Sequence, residues 1–203
     1  MSLFLANKIK GGNNAEFESK VIAIANQLGI KPNWLMIVMN FESGLNSKAV
    51  NATSGATGLI QFMPATAQGL GTTTEELKNM TNIRQLDFVY SYLSRYAGKI
   101  HSLTDLYLCI FYPNAVGKES TYILGKRTNG VLDTNNANLI ARQNRIFDTN
   151  NDGFVTKGEV ERYITSYANK LGYSTTLDFG IEKKKVVAFS FVCLITYLII
   201  KNQ

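Results

Sequence analysis

The chain has 203 residues, 45% hydrophobic and 18% charged, with a formal net charge of +6 and a pI of about 9.2. That length allows one substantial domain with a buried core, and that composition excludes a disordered chain. The modest basic excess suits an anionic partner or plain solubility, and no Lys/Arg run interleaved with aromatics points to nucleic acid.

In chain order, Met1 to Lys8 is too short and too weakly apolar for a secretory signal. Glu16 to Leu28 then reads as an amphipathic helix, with Val21, Ile22, Ile24, Ala25 and Leu28 on its apolar face and Gly29 ending it. Pro32 suits the first turn of a second helix, Pro32 to Ser43, which is apolar almost all round and is expected to be the central buried helix. Gly44 stops it, a polar loop runs from Asn46 to Gly58, and Pro64 opens a short helix through Gln68. Thr74 is read as a cap before Glu75 and Glu76, and Ile83 to Tyr96 as the next helix. Ser102 and Asp105 predict a capping box for Leu103 to Tyr112, which Pro113 ends. Ala137 to Phe147 and Val160 to Leu171 are two more helices flanking an acidic loop. No segment alternates with period two, so the fold is expected to be mainly α.

Cys109 and Cys193 lie in apolar stretches and read as small buried hydrophobes rather than a disulfide framework. His101 has no His or Cys neighbour, which argues against a soft-metal site or a His-dependent triad.

The residue of greatest chemical interest is Glu42. It ends the apolar run Trp34 to Phe41, and a second apolar block, Gly58-Leu59-Ile60-Gln61-Phe62-Met63-Pro64, follows it. A carboxyl at the edge of so much hydrophobic surface, near a negative helix end, resists ionisation. A carboxylic acid that keeps its proton near neutral pH is what cleavage of a glycosidic bond requires. No Asp or Glu lies between Glu42 and Glu75, although Asp87, Asp105 or Asp133 could fold in as a second acid.

Glu42-Ser43 and the block Gly58 to Ala67 resemble the lytic transglycosylase family, whose fold is lysozyme-like. The family pattern has Glu-Ser at a helix end, a Gly-Leu-(Met/Ile)-Gln block running into Met-Pro-x-Thr-Ala, and a later Ala-Tyr-Asn-Ala-Gly. Here the third motif stands as Tyr112-Pro113-Asn114-Ala115-Val116-Gly117, with a proline between Tyr and Asn. The resemblance spans Asn33 to Lys118. It implies a peptidoglycan enzyme in which Glu42 protonates the leaving oxygen and then takes the proton of the sugar's 6-hydroxyl, closing a 1,6-anhydro ring. It further implies that Ser43 orients Glu42, that Gln61, Phe62, Met63 and Asn114 contact the glycan strand, and that Tyr112 sits near the acid. With a second carboxylate the same site would be a hydrolysing muramidase. A non-catalytic wall-binding or structural virion protein is the third reading.

Asp148 to Glu159 reads as a twelve-residue EF-hand loop. Asp148, Asn150 and Asp152 supply oxygen ligands at positions 1, 3 and 5, and Gly153 permits the turn. Phe154 offers its carbonyl, Thr156 stands at position 9 and Glu159 at position 12. A single loop of this kind reads as a structural Ca²⁺ clamp, with chelation expected to lower thermal stability and leave the chemistry intact.

Val186 to Ile200 carries no charge, but as a helix spans only about 22 Å against a hydrocarbon core of roughly 30 Å. With Lys183 to Lys185 and Lys201 beside it, it reads as a membrane anchor; a core helix or an interface strand are the alternatives. The expected organisation is a lysozyme-like domain over 1–135, an EF-hand helix–loop–helix over 136–172 and an apolar tail helix over 182–203. Glycan strands, a membrane and virion proteins are the expected partners, and a virion membrane or host envelope the expected location.

Overall fold

A computed structural model describes residues 2–174; the apolar tail and Cys193 lie outside the described residues. The chain divides into two compact units, 1–164 and 165–203. Residues 136–164 fall in the first of these units.

The first unit is built on α1 (Asn14–Leu28) and α2 (Pro32–Ser43), joined by a tight turn at Gly29 (φ 69°). Trp34 to Met39 are all buried, so α2 is the central helix its sequence predicts. It packs on α1 and on α6 (Leu103–Phe111), while α1 also packs on α5 (Asn82–Leu93). Two short helices, α3 (Pro64–Gly69) and α4 (Thr74–Asn79), come between α2 and α5. The cap of α4 is Thr73 rather than Thr74: Thr73 Oγ1 accepts from Glu76 N, and the Glu76 carboxylate accepts from Thr73 N, a reciprocal box with the glutamate in the third helical position. At α6, Ser102 Oγ accepts from Asp105 N at 2.9 Å, but the return bond to Asp105 comes from His101 N, one residue before the cap.

Among the described residues the strands amount to one small hairpin, β1 (Arg127–Thr128) with β2 (Val131–Leu132), turned by Asn129-Gly130 with both residues at positive φ. α7 (Thr134–Gln143) ends earlier than expected, because Asn144 folds its side-chain amide back onto the Ile140 carbonyl at 2.9 Å. α8 (Lys157–Lys170) starts earlier than expected, because Thr156 and Glu159 form a second capping box. Among the described residues no single helix is long and apolar enough to cross a membrane.

Candidate active site

The end of α2 sets the site. Gly44 takes φ 62° and buried Leu45 φ 57°; the Gly44 N–H donates to the Asn40 carbonyl and the Leu45 N–H to the Met39 carbonyl. Two successive left-handed residues turn the chain back sharply and leave Glu42 and Ser43 on the last helical turn. The Ser43 hydroxyl bonds the Met39 carbonyl at 2.9 Å and the Leu59 carbonyl at 3.0 Å, and accepts from Asn46 N. Ser43 thus fastens the helix end to the second block; its hydroxyl is engaged by backbone rather than by Glu42.

The second block is a closed loop. Thr57 and Phe62 exchange backbone hydrogen bonds of 3.0 and 2.8 Å across Gly58 to Gln61. Gln61 holds φ 53°, an uncommon conformation for a residue with a side chain, and its amide donates to the Gly58 carbonyl at 3.1 Å. Gln85, fully buried on α5, holds the loop from behind: it accepts from Leu59 N and donates to the Ser47 and Leu77 carbonyls at 2.9 Å each. A Cβ at Gly58 would run into the Gln85 side-chain amide, and the residue holds φ 86°, so a side chain here is strained on both counts. Gln85 carries no motif signal, and sequence reasoning passes over it. Met63 is 48% exposed, whereas Phe62 is 2% exposed and packs edge-to-face on Tyr92. Phe62 is therefore a wall of the core beneath the block, a correction to its expected place among glycan contacts.

Glu42 is half-buried. Burial pushes its carboxyl pKa up from 4.5 to about 7, and no charged side chain among the described residues offsets the effect. The tyrosine electrostatically coupled to it is Tyr107 on α6, whose own phenol is held neutral by burial and then by the neighbouring Glu42. The family resemblance implies this place for Tyr112. That residue is instead turned to the segment beyond it, with a backbone hydrogen bond from Gly125 and with Tyr122 and Arg127 as neighbours. Asn114 is exposed in the short 3₁₀ turn Pro113–Ala115, which the extra proline begins.

Residues 19–112 match the family model of the transglycosylase SLT domain. The matched span runs from within α1 to the end of α6, and so includes Glu42, the loop from Gly58 to Met63, and Tyr107. It supports a lytic-transglycosylase-type enzyme domain acting on peptidoglycan, with a mainly helical, lysozyme-like fold. The match stops before Asn114, and the acidic loop lies wholly outside it.

Asp87, Asp105 and Asp133, the acids that the sequence offers as a second catalytic carboxylate, are each engaged elsewhere. Asp87 pairs with Lys20 at 2.8 Å and Arg84 at 3.0 Å. Asp105 pairs with Lys157 at 2.9 Å, both side chains being largely buried. Asp133 caps α7 by accepting from Asn136 N at 3.0 Å.

In the acidic loop, Asp148 Oδ2 accepts from Gly153 N, Asn150 Oδ1 from Asp152 N and Asp152 Oδ1 from Phe154 N. Gly153 takes φ 82° at the sharp turn, and its carbonyl accepts from Asn138 on α7 at 2.7 Å. Glu159 is 1% exposed, with its carboxylate on the Thr156 amide and hydroxyl. Among the described residues no three His, Cys, Asp or Glu side chains gather into a metal cluster, so any cation here depends also on Asn150, Thr156 and the Phe154 carbonyl. One observation favours such an ion: Asp148 Oδ1 is buried without a hydrogen-bond partner. The loop does not stand alone either. Leu124 N donates to the Val155 carbonyl and Lys157 N to the Tyr122 carbonyl, at 2.8 Å each, so the segment 122–124 lies along it as an antiparallel partner.

Proposed function

We propose that this chain is a peptidoglycan lytic transglycosylase that cleaves the MurNAc–GlcNAc β-1,4 bond, with Glu42 as its acid and then its base. The observation that carries the reading is a half-buried carboxyl on the last turn of α2, pushed up to a pKa of about 7 by burial, on a helix end that Ser43 ties to the Gly58 to Met63 loop. Protonated Glu42 donates to the glycosidic oxygen as the C1–O bond breaks, and the N-acetyl oxygen of MurNAc stabilises the cation at C1. The Glu42 carboxylate then takes the proton of the 6-hydroxyl, whose oxygen bonds C1. The proton count closes, no water is consumed, and Glu42 returns to its acid form. Gln61, Met63 and Asn114 contact the glycan, and Tyr107 lies against the acid.

The engagement of Asp87, Asp105 and Asp133 favours this one-carboxylate route over the two-carboxylate muramidase. Mass spectrometry of fragments from purified wall tests the choice: anhydro-muramyl ends are expected, and reducing muramyl ends would establish the hydrolase. Wall lysis undiminished in Glu42→Gln would leave only a non-catalytic wall-binding or virion role.

We also propose that the acidic loop holds Ca²⁺ through Asp148, Asn150, Asp152, the Phe154 carbonyl, Thr156 and Glu159. The unpartnered Asp148 oxygen supports it. Bound there, the ion would supply an electrostatic cross-link in the loop between α7 and α8 and would take no part in the cleavage. The apolar stretch 186–200 anchors the chain to a membrane, in a virion or a host envelope; recovery of the full chain in the soluble fraction after expression would remove that assignment.

A further inference from the structure

The helix end that carries the acid packs against residues from outside the matched domain. Phe41, immediately before Glu42, packs edge-to-face on Tyr107 of α6 (centroids 5.2 Å apart) and on Tyr163 of α8 (6.1 Å). Phe147 closes the group: it meets Tyr163 at 5.2 Å, Phe111 at 5.1 Å and Tyr107 at 5.9 Å, and is 1% exposed. Phe147 and Tyr163 flank the acidic loop, one residue before Asp148 and four after Glu159. The 2.9 Å pair of Lys157 with Asp105 ties the start of α8 to α6 and so fixes where Tyr163 arrives. Apart from Glu42, the titratable groups of this cluster are the phenols of Tyr107, from α6, and Tyr163, from α8, and among the described residues burial is the cause that moves Glu42.

We propose that Phe147 and Tyr163 are positioning residues for Glu42: from beyond residue 112 they clamp Phe41 and Tyr107 and exclude water from the inner side of the acid. The inference rests on Glu42 as the general acid, and it makes the segment after the matched domain a working part of the site. A helix end backed by Phe41 and Tyr107 alone would admit water, and its carboxyl would ionise at lower pH. Rings serve this purpose better than aliphatic side chains because edge-to-face pairs hold one another in place.

The test uses the full chain with Phe147→Leu, Tyr163→Leu and the conservative Tyr163→Phe, each checked for folding by circular dichroism. Two readouts are taken: the pH dependence of kcat/KM on purified wall, and the titration midpoint of Glu42 by carboxyl ¹³C NMR. In the two leucine variants the alkaline limb and the NMR midpoint are expected to move down by roughly one pH unit. Tyr163→Phe, which keeps the ring, is expected to hold the wild-type midpoint. If the leucine variants do not fold, Phe147→Met replaces them as the smaller change, with a downward move in the same direction. An unmoved midpoint in a folded leucine or methionine variant would overturn the inference. Failure of the acid assignment is read separately, as undiminished cleavage by Glu42→Gln, while the NMR midpoint still reports on the wall.

Discussion

Two carboxylates lie on helices that pack against each other and meet opposite fates. Glu42 is on the last turn of α2 and Asp105 on the first turn of α6. Burial acts to raise the pKa of both. At Asp105 the Lys157 ammonium, the Ser102 hydroxyl and the Gly117 N–H overcome it and hold the carboxyl below the usual range. At Glu42 nothing answers burial, and the pKa rises to about 7. The helix ends push the same way, since the negative end of α2 disfavours a charge that the positive end of α6 welcomes. A buried carboxyl is thus held ionised where a lysine meets it and keeps its proton to higher pH where none does.

The strongest way to break this contrast is Glu42→Gln, which is expected to reduce wall cleavage by about 10²–10⁴-fold. It is also expected to raise stability above neutral pH. Glu42 has a folded pKa above its unfolded value of 4.5, so its favourable contribution is complete below pH 4.5 and is lost as pH rises through about 7. Relative to Glu42, the glutamine chain should gain up to roughly 3 kcal/mol by pH 8, read from urea unfolding at pH 4 and pH 8. Next in size is Asp105→Ala, which strands Lys157 in a largely buried site and should cost about 3 kcal/mol or more. In the wild type, the Asp105 contribution is present above its unfolded value of 3.8 and lost as pH falls through its lower folded value, so acid unfolding should steepen below about pH 4. Gln85→Leu leaves Leu59 N and the Ser47 and Leu77 carbonyls unpaired. It should cost roughly 2–3 kcal/mol and weaken cleavage by loosening the loop from Gly58 to Gln61. The smallest effect is chelation of Ca²⁺, which should lower Tm by a few degrees and leave the alkaline limb in place. The bridge to 122–124 and the Lys157–Asp105 pair hold the loop without the ion. An identical Tm with and without Ca²⁺ would remove the metal from the account.

The helices were largely legible because their signals are local. The apolar run of α2, Pro32 at its start and Gly44 past its end fix that element without help from the rest of the chain. The raised pKa of Glu42 has an equally local cause: one carboxyl at the end of an apolar helix carries its own electrostatic consequence. What the sequence hid depends on distant partners. Tyr107 and Tyr112 share one helix and its end, and only packing decides which of them faces α2. Phe62 reads as a ligand contact in a motif and as core once Tyr92 is placed against it. Gln85 looks like an ordinary helical glutamine until the loop from Gly58 folds over it. The loop-flanking helices were found, but their ends moved because Asn144 and Thr156 turn their side chains onto the backbone.

The most direct test is the titration of Glu42 in the intact chain, followed by carboxyl ¹³C NMR from pH 3 to pH 9. The midpoint is expected at about 7, matching the alkaline limb of wall cleavage. A midpoint near 4.5 would mean that water or a cation reaches the carboxylate, and the acid would not be in place when the sugar arrives.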